Sequence, residues 1–125
     1  TNTAEANGAH AIVELPYSSH YPVTFNDIEL TKNMVPSLQK AAGSDHVNLI
    51  PAETGAEDFS FFANEVPGFY FYVGALPKGQ DPKTSASHHT PDFFLDESGF
   101  ITGVKAMLNL VTDYMEASSV AYSKK

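Results

Sequence analysis

The sequence contains no cysteine. That excludes a disulfide framework, a thiolate metal site and a cysteine nucleophile. Arginine is also missing, and the 7 basic residues face 15 acidic ones, for a formal charge of −8. This balance repels phosphate backbones and anionic bilayers, so neither a nucleic acid nor a membrane is expected as a partner. Apolar runs fall far short of the roughly 20 residues that a membrane span needs. Thr1-Asn2-Thr3-Ala4-Glu5 has neither a basic start nor an apolar stretch, so no signal peptide is expected in this chain. Starting without Met, the chain reads as a cut or processed piece. Lack of cysteine assigns no compartment, and a soluble protein of the cytoplasm or of an exported fraction fits equally.

What is present is 125 residues, 42% of them apolar, enough for one modest globular domain. Residues 2–7 read as a helix end closed by Gly8. Ala11-Ile12-Val13-Glu14-Leu15 suits a strand, and Tyr21-Pro22-Val23-Thr24-Phe25 is extended. Asn26 and Glu29 form a variant capping box that opens a helix, with Pro36 interrupting it and starting a second short helix that Gly43 ends. His46 to Ile50 reads as a strand. A helix is expected from Glu57 to about Val66. The run Phe69-Tyr70-Phe71-Tyr72-Val73-Gly74-Ala75 is aromatic on both faces, as in a strand covered on both sides. Leu76 to Pro91 form a long loop, of a length that is usually functional or disordered.

A last helix starts at Asp96 and Glu97 and ends near Ser118. Phe100, Val104, Met107, Leu108, Val111, Tyr114 and Met115 make its apolar stripe. This order of elements predicts an α/β fold with a mainly parallel sheet. The expected divisions are residues 1–25 as a remnant of another unit, residues 26–118 as the α/β body, and residues 119–125 as a frayed polar tail.

Two places could carry chemistry. Glu53-Thr54-Gly55-Ala56-Glu57-Asp58-Phe59 sets three carboxylates at a helix entry, where the unpaired N–H groups favour negative charge. Glu57 and Asp58 are explained by that capping role alone, or by backbone amides facing a site with Asp58 orienting a ligand. The second place is Ser87-His88-His89-Thr90-Pro91-Asp92 at the end of the long loop. Imidazole is a common metal ligand, but neighbours on an extended chain point apart and seldom bind one ion. A histidine pair is also common surface filler. His10, His20 and His46 stand alone and are expected to be structural or exposed.

Taken in order, Gly55-Ala56-Glu57-Asp58-Phe59, Val66-Pro67-Gly68, Gly74, His88-His89-Thr90-Pro91-Asp92-Phe93 and Asp96-Glu97 resemble the C-terminal region of a known family. It is the aminoacylase, hippurate hydrolase and auxin-conjugate hydrolase branch of the dinuclear-zinc metallopeptidases. Tyr21-Pro22-Val23-Thr24-Phe25-Asn26-Asp27 is similar to the segment where that chain returns from an inserted lid domain. The resemblance covers essentially the whole chain. It implies the C-terminal part of a mainly parallel α/β catalytic domain, preceded in residues 1–25 by a strand-helix remnant of an α+β lid, or dimerisation, domain.

The resemblance also implies hydrolysis of the amide bond of N-acyl amino acids or small peptide conjugates by metal-activated water. His89 would be a metal ligand and His88 its non-ligating neighbour. Gly55, Glu57 and Asp58 would border the site on the substrate side or behind the ligands. Two divalent ions are implied, zinc in the first place, with manganese, cobalt or nickel as alternatives. One matched histidine falls short of the three or so protein ligands of a catalytic zinc. The chain alone is therefore expected to be inactive and to hold no metal tightly, with the N-terminal half of the enzyme as a missing partner. A homo-oligomer is expected, because an open sheet invites association. Two further readings stay open: a free-standing α/β binding module, and a metal-binding protein using His88, His89 and Asp92.

Overall fold

The computed structural model describes residues 2–16 and 20–122. Four helices are found among them: α1 (Asn2–Ala6), α2 (Ile28–Ala42), α3 (Phe59–Glu65) and α4 (Ser98–Tyr122), with a 3-10 turn at Ser44–His46. Gly8 ends α1 at a positive φ of 70°, as expected of a C-terminal glycine.

Helix α2 departs from expectation at both its start and its middle. Its N-cap is Asp27, whose carboxylate accepts the Leu30 N–H at 2.7 Å. The capping box of Asn26 and Glu29 does not form; Glu29 pairs instead with Lys32 at 2.8 Å. Pro36 lies inside the helix and does not divide it. Its ring sits on an exposed face, and the Lys32 carbonyl that it deprives of a donor belongs to an exposed turn open to water. Gly43 then stops the helix at φ 89°, its N–H reaching the Gln39 carbonyl at 2.8 Å.

Helix α4 is longer than expected, running to Tyr122 past the predicted end at Ser118; residues 123–125 of the predicted tail lie outside the described residues. It also packs through a different face. The buried apolar residues joining it to α2 are Met34, Leu38 and Ala106. Around them the buried Ser37 hydroxyl donates to Asp113 at 2.8 Å, Lys40 pairs with Asp113 at 3.2 Å, and the Asn109 amide reaches the Ser37 carbonyl. The predicted stripe from Phe100 to Met115 remains more than half exposed. The small residues Gly99 and Gly103 face a different neighbour, the 73–75 segment, which comes close to α4 there.

Among the described residues no segment pairs with another as a β-ladder. The segments expected as strands at 11–15, 46–50 and 69–75 are irregular, with a bend at Leu15 and with His46 in the 3-10 turn. A ladder needs a second strand at about 4.8 Å, and this chain brings none alongside. The 68–75 segment is nonetheless layered. Its even-numbered aromatics meet the α3 side, with the Phe59 and Tyr70 rings 5.5 Å apart. Its odd-numbered residues meet α4: Val73 lies against Gly103, and Ala75 against Gly99. This is the period of two of an extended chain, and it gives a lone strand a helix on each face.

Candidate functional site

The 53–58 turn is exposed from Glu53 to Ala56 and becomes fixed at Glu57. Asp58 precedes α3, but its side chain makes no capping hydrogen bond. Glu57 takes that role. One of its oxygens accepts the Phe59 N–H at 3.2 Å and the other accepts the Tyr70 hydroxyl at 2.9 Å. Its carbonyl accepts the hydroxyl of Ser60, which is fully buried, at 2.6 Å. The Phe59 N–H, followed by the Tyr70 hydroxyl, holds the Glu57 carboxyl below its ordinary value. The same hydrogen bond, seen from the phenol, raises Tyr70 above 10.0. Both directions follow from stabilising a charged acceptor with a neutral donor.

Tyr70 is also held by its backbone. The Asn26 side chain accepts the Tyr70 N–H at 2.7 Å and donates to the Tyr70 carbonyl at 2.8 Å, so one amide occupies the place of a neighbouring strand. The Asp27 N–H donates to Gly68 beside it. Sequence reasoning assigned Tyr70 to an apolar core and Asn26 to a cap, and so missed both roles. A usable signal was present: a tyrosine in a half-buried aromatic run needs a partner for its hydroxyl.

The long 76–91 loop is built from turns organised by Asp81. Its carbonyl accepts the Thr84 and Ser85 N–H groups, and its carboxylate accepts the Lys83 N–H at 2.9 Å. At the loop's end, Thr90 bonds the Ser87 carbonyl and the Phe93 N–H returns to Thr90. Within this turn the two histidines differ. The His88 ring stands edge-on to Phe93 at 4.8 Å. His89 has a φ of 63°, the only positive value at a non-glycine among the described residues, and its exposed ring forms no hydrogen bond there. Backbone of this kind costs energy and collects at functional positions. His10, His20 and His46 are exposed, in keeping with the sequence reading.

The structure does not bring the two places together by any hydrogen bond or ring contact. Two open grooves, of about 370 and 570 Å³, lie elsewhere. One is beside Phe25 and Pro67 and the other between α2 and the end of α4; neither touches His88 or His89.

The profile of Peptidase family M20/M25/M40 matches residues 8–113. The chain belongs to that family. Among its relatives is the N-acetyldiaminopimelate deacetylase of Lacticaseibacillus paracasei, 33% identical over 103 residues that make up 82% of this chain and 25% of the relative. The provisionally named amidohydrolase YhaA of Bacillus subtilis is 29% identical over 83% of this chain and 26% of its own length. IAA-amino acid hydrolase ILR1-like 4 of Arabidopsis thaliana is 28% identical over 100% of this chain and 29% of its own length. The M20 chain thus spans about a quarter of the relatives it matches. No solved structure matches it significantly.

Membership of the M20 family implies an α/β fold and a hydrolase, and enzymes of the family are generally metal dependent. The residues here do not by themselves fit a metal. Among the described residues no three His, Cys, Asp or Glu side chains come together. No helix among them is long and apolar enough to cross a membrane.

Proposed function

We propose that this chain is part of an amide hydrolase acting on N-acyl amino acids or small peptide conjugates, and that it contributes His89 to a metal centre completed by polypeptide outside these 125 residues. The observation that carries the role of His89 is its backbone: a histidine held in the left-handed region at the end of a hydrogen-bonded turn, its exposed ring edge-on to His88 at 6.4 Å and making no hydrogen bond. Such a turn fixes the direction of a ring more firmly than an extended chain would. His88 spends its ring on Phe93, which suits a neighbour that shapes the turn. The substrate class is supported by two relatives, an N-acetyldiaminopimelate deacetylase and an IAA-amino acid hydrolase.

The donor count supports the incomplete site. A catalytic zinc takes about three protein ligands, and His89 belongs to no group of three such donors among the described residues. Hydrolysis by the chain alone is therefore not expected. Two substitutions in a full-length enzyme containing this chain test the reading, with release of amino acid from N-acetyl amino acids as the assay. His89→Ala should lower kcat/KM by at least about 100-fold and reduce bound metal, as loss of a ligand should. His88→Ala should cost about tenfold or less. The opposite ranking would remove His89 from the centre.

The alternative of a binding module without catalysis makes a different prediction. It requires the isolated chain to behave as a well-folded monomer, and the exposed α4 stripe speaks against that.

A further inference from the structure

Two carboxylates sit side by side at the start of α3, and sequence alone gives them the same standing. The structure separates them. Both oxygens of Glu57 are occupied, by the Phe59 N–H and the Tyr70 hydroxyl, while Asp58 is exposed and makes no capping bond. Tyr70 in turn is held through its N–H, its carbonyl, its hydroxyl and its ring. The residue that grips its backbone, Asn26, directly precedes Asp27, the N-cap of α2. A chain of side-chain bonds therefore runs from the packed α2–α4 pair through Asn26 and Tyr70 to Glu57, and ends at the 53–58 turn.

We propose that Glu57 and Tyr70 are a positioning pair: their hydrogen bond fixes the Gly55-Ala56-Glu57-Asp58 turn to the aromatic segment, and neither side chain exchanges a proton with substrate. This rests on the reading above that the turn borders the site of an amide hydrolase. A general acid or base must itself lie within hydrogen-bond reach of the reacting atom, and both oxygens of Glu57 are turned to partners within the chain, the Phe59 N–H and the Tyr70 hydroxyl. Its depressed proton affinity further opposes a proton-carrying role. Asp58 is held in place by the clamp and remains open to solvent.

The test uses a full-length enzyme containing this chain and an N-acetyl amino acid that it cleaves. Glu57→Gln keeps an oxygen that accepts from Tyr70 and gives up only the longer bond from the Phe59 N–H, so kcat/KM should stay within about threefold of the parent, with an unchanged pH profile. Glu57→Ala and Tyr70→Phe should each lower kcat/KM on the order of 10-fold, mainly through KM, because the turn shifts rather than the chemistry. The double variant should be no worse than the poorer single, as for two ends of one bond. The pair is overturned if Glu57→Gln is as poor as Glu57→Ala and loses one limb of the kcat–pH profile, which is the mark of a proton carrier. It is equally overturned if Tyr70→Phe changes nothing.

A second measurement needs no activity and so separates failure of the pair from failure of the amide-hydrolase reading. In 13C-tyrosine NMR of the same protein, the resonance lost in Tyr70→Phe should titrate above 10.0 and move down in Glu57→Ala. Titration at the same pH with and without Glu57 would mean that the hydrogen bond does not exist.

Discussion

At Gly68 a methyl group would stand 2.9 Å from the Ala63 side chain and 3.1 Å from the Phe59 ring. The glycine is needed for this close approach, since it lets the aromatic segment lie directly on α3. Gly68→Ala should therefore destabilise a full-length enzyme by about 1–3 kcal/mol, the usual cost of overpacking, read as a lowered thermal midpoint. An unchanged midpoint would show that α3 is free to move aside. The reason for a glycine at position 68 was not legible in the sequence, because crowding between distant residues leaves no local signature. The same limit applies to Glu57 and Asp58. The sequence placed both at a helix entry, but which one caps α3 depends on Tyr70, thirteen positions beyond Glu57.

Helices α1 to α4 were all anticipated, because their signals are local: Gly8 and Gly43 as stops, acidic starts, and a helical apolar period. The errors arose where tertiary contacts overrode local preference. Pro36 stays within α2 because its side faces water, and α4 meets α2 through Asn109 and Asp113, where the buried Ser37 hydroxyl donates to the Asp113 carboxylate. That contact should be sensitive to acid. The Ser37 hydroxyl, then Lys40, holds Asp113 below its ordinary 3.8. A carboxyl depressed in the folded state contributes stability above its unfolded value and loses it as pH falls through the folded one. The α2–α4 packing should thus weaken below about pH 3.8. Asp113→Asn should remove that part of the acid dependence in denaturation profiles measured between pH 6 and pH 2 (roughly the carboxylate range). A profile that keeps its full slope in the variant would place the acid sensitivity in another group.

For the whole molecule, the α/β class was legible in the order of elements, and the sheet was not realised within the chain. Among the described residues only Met34, Leu38 and Ala106 form a buried hydrophobic core, while Leu49, Phe62, Phe94 and the α4 stripe lie open. So little burial cannot offset the entropy of ordering a chain of this length. A full core requires further polypeptide on both the stripe and the aromatic segment. The 13.5 kDa chain on its own is expected to bind an apolar dye and to sediment as self-associated species above its own mass. A single monomeric boundary with no dye binding would show that these surfaces are tolerated in water. Charging the stripe with Met107→Lys and Val111→Lys should reduce the association of the isolated chain and abolish the folding of a full-length enzyme, since the same face serves both.

The amide of Asn26 has a consequence for how strands can be added. It fills both pairing positions of Tyr70 on one side, so at that level the edge is stoppered, and an incoming strand finds no donor or acceptor to grip. Phe69, Phe71 and Val73 turn their backbones the other way, and on that flank the Asp96 N–H donates to the Ala75 carbonyl at 2.8 Å, at the segment's end. At the level of Tyr70, a sheet that incorporates this segment has only the opposite flank to grow from, with Asn26 as its bookend.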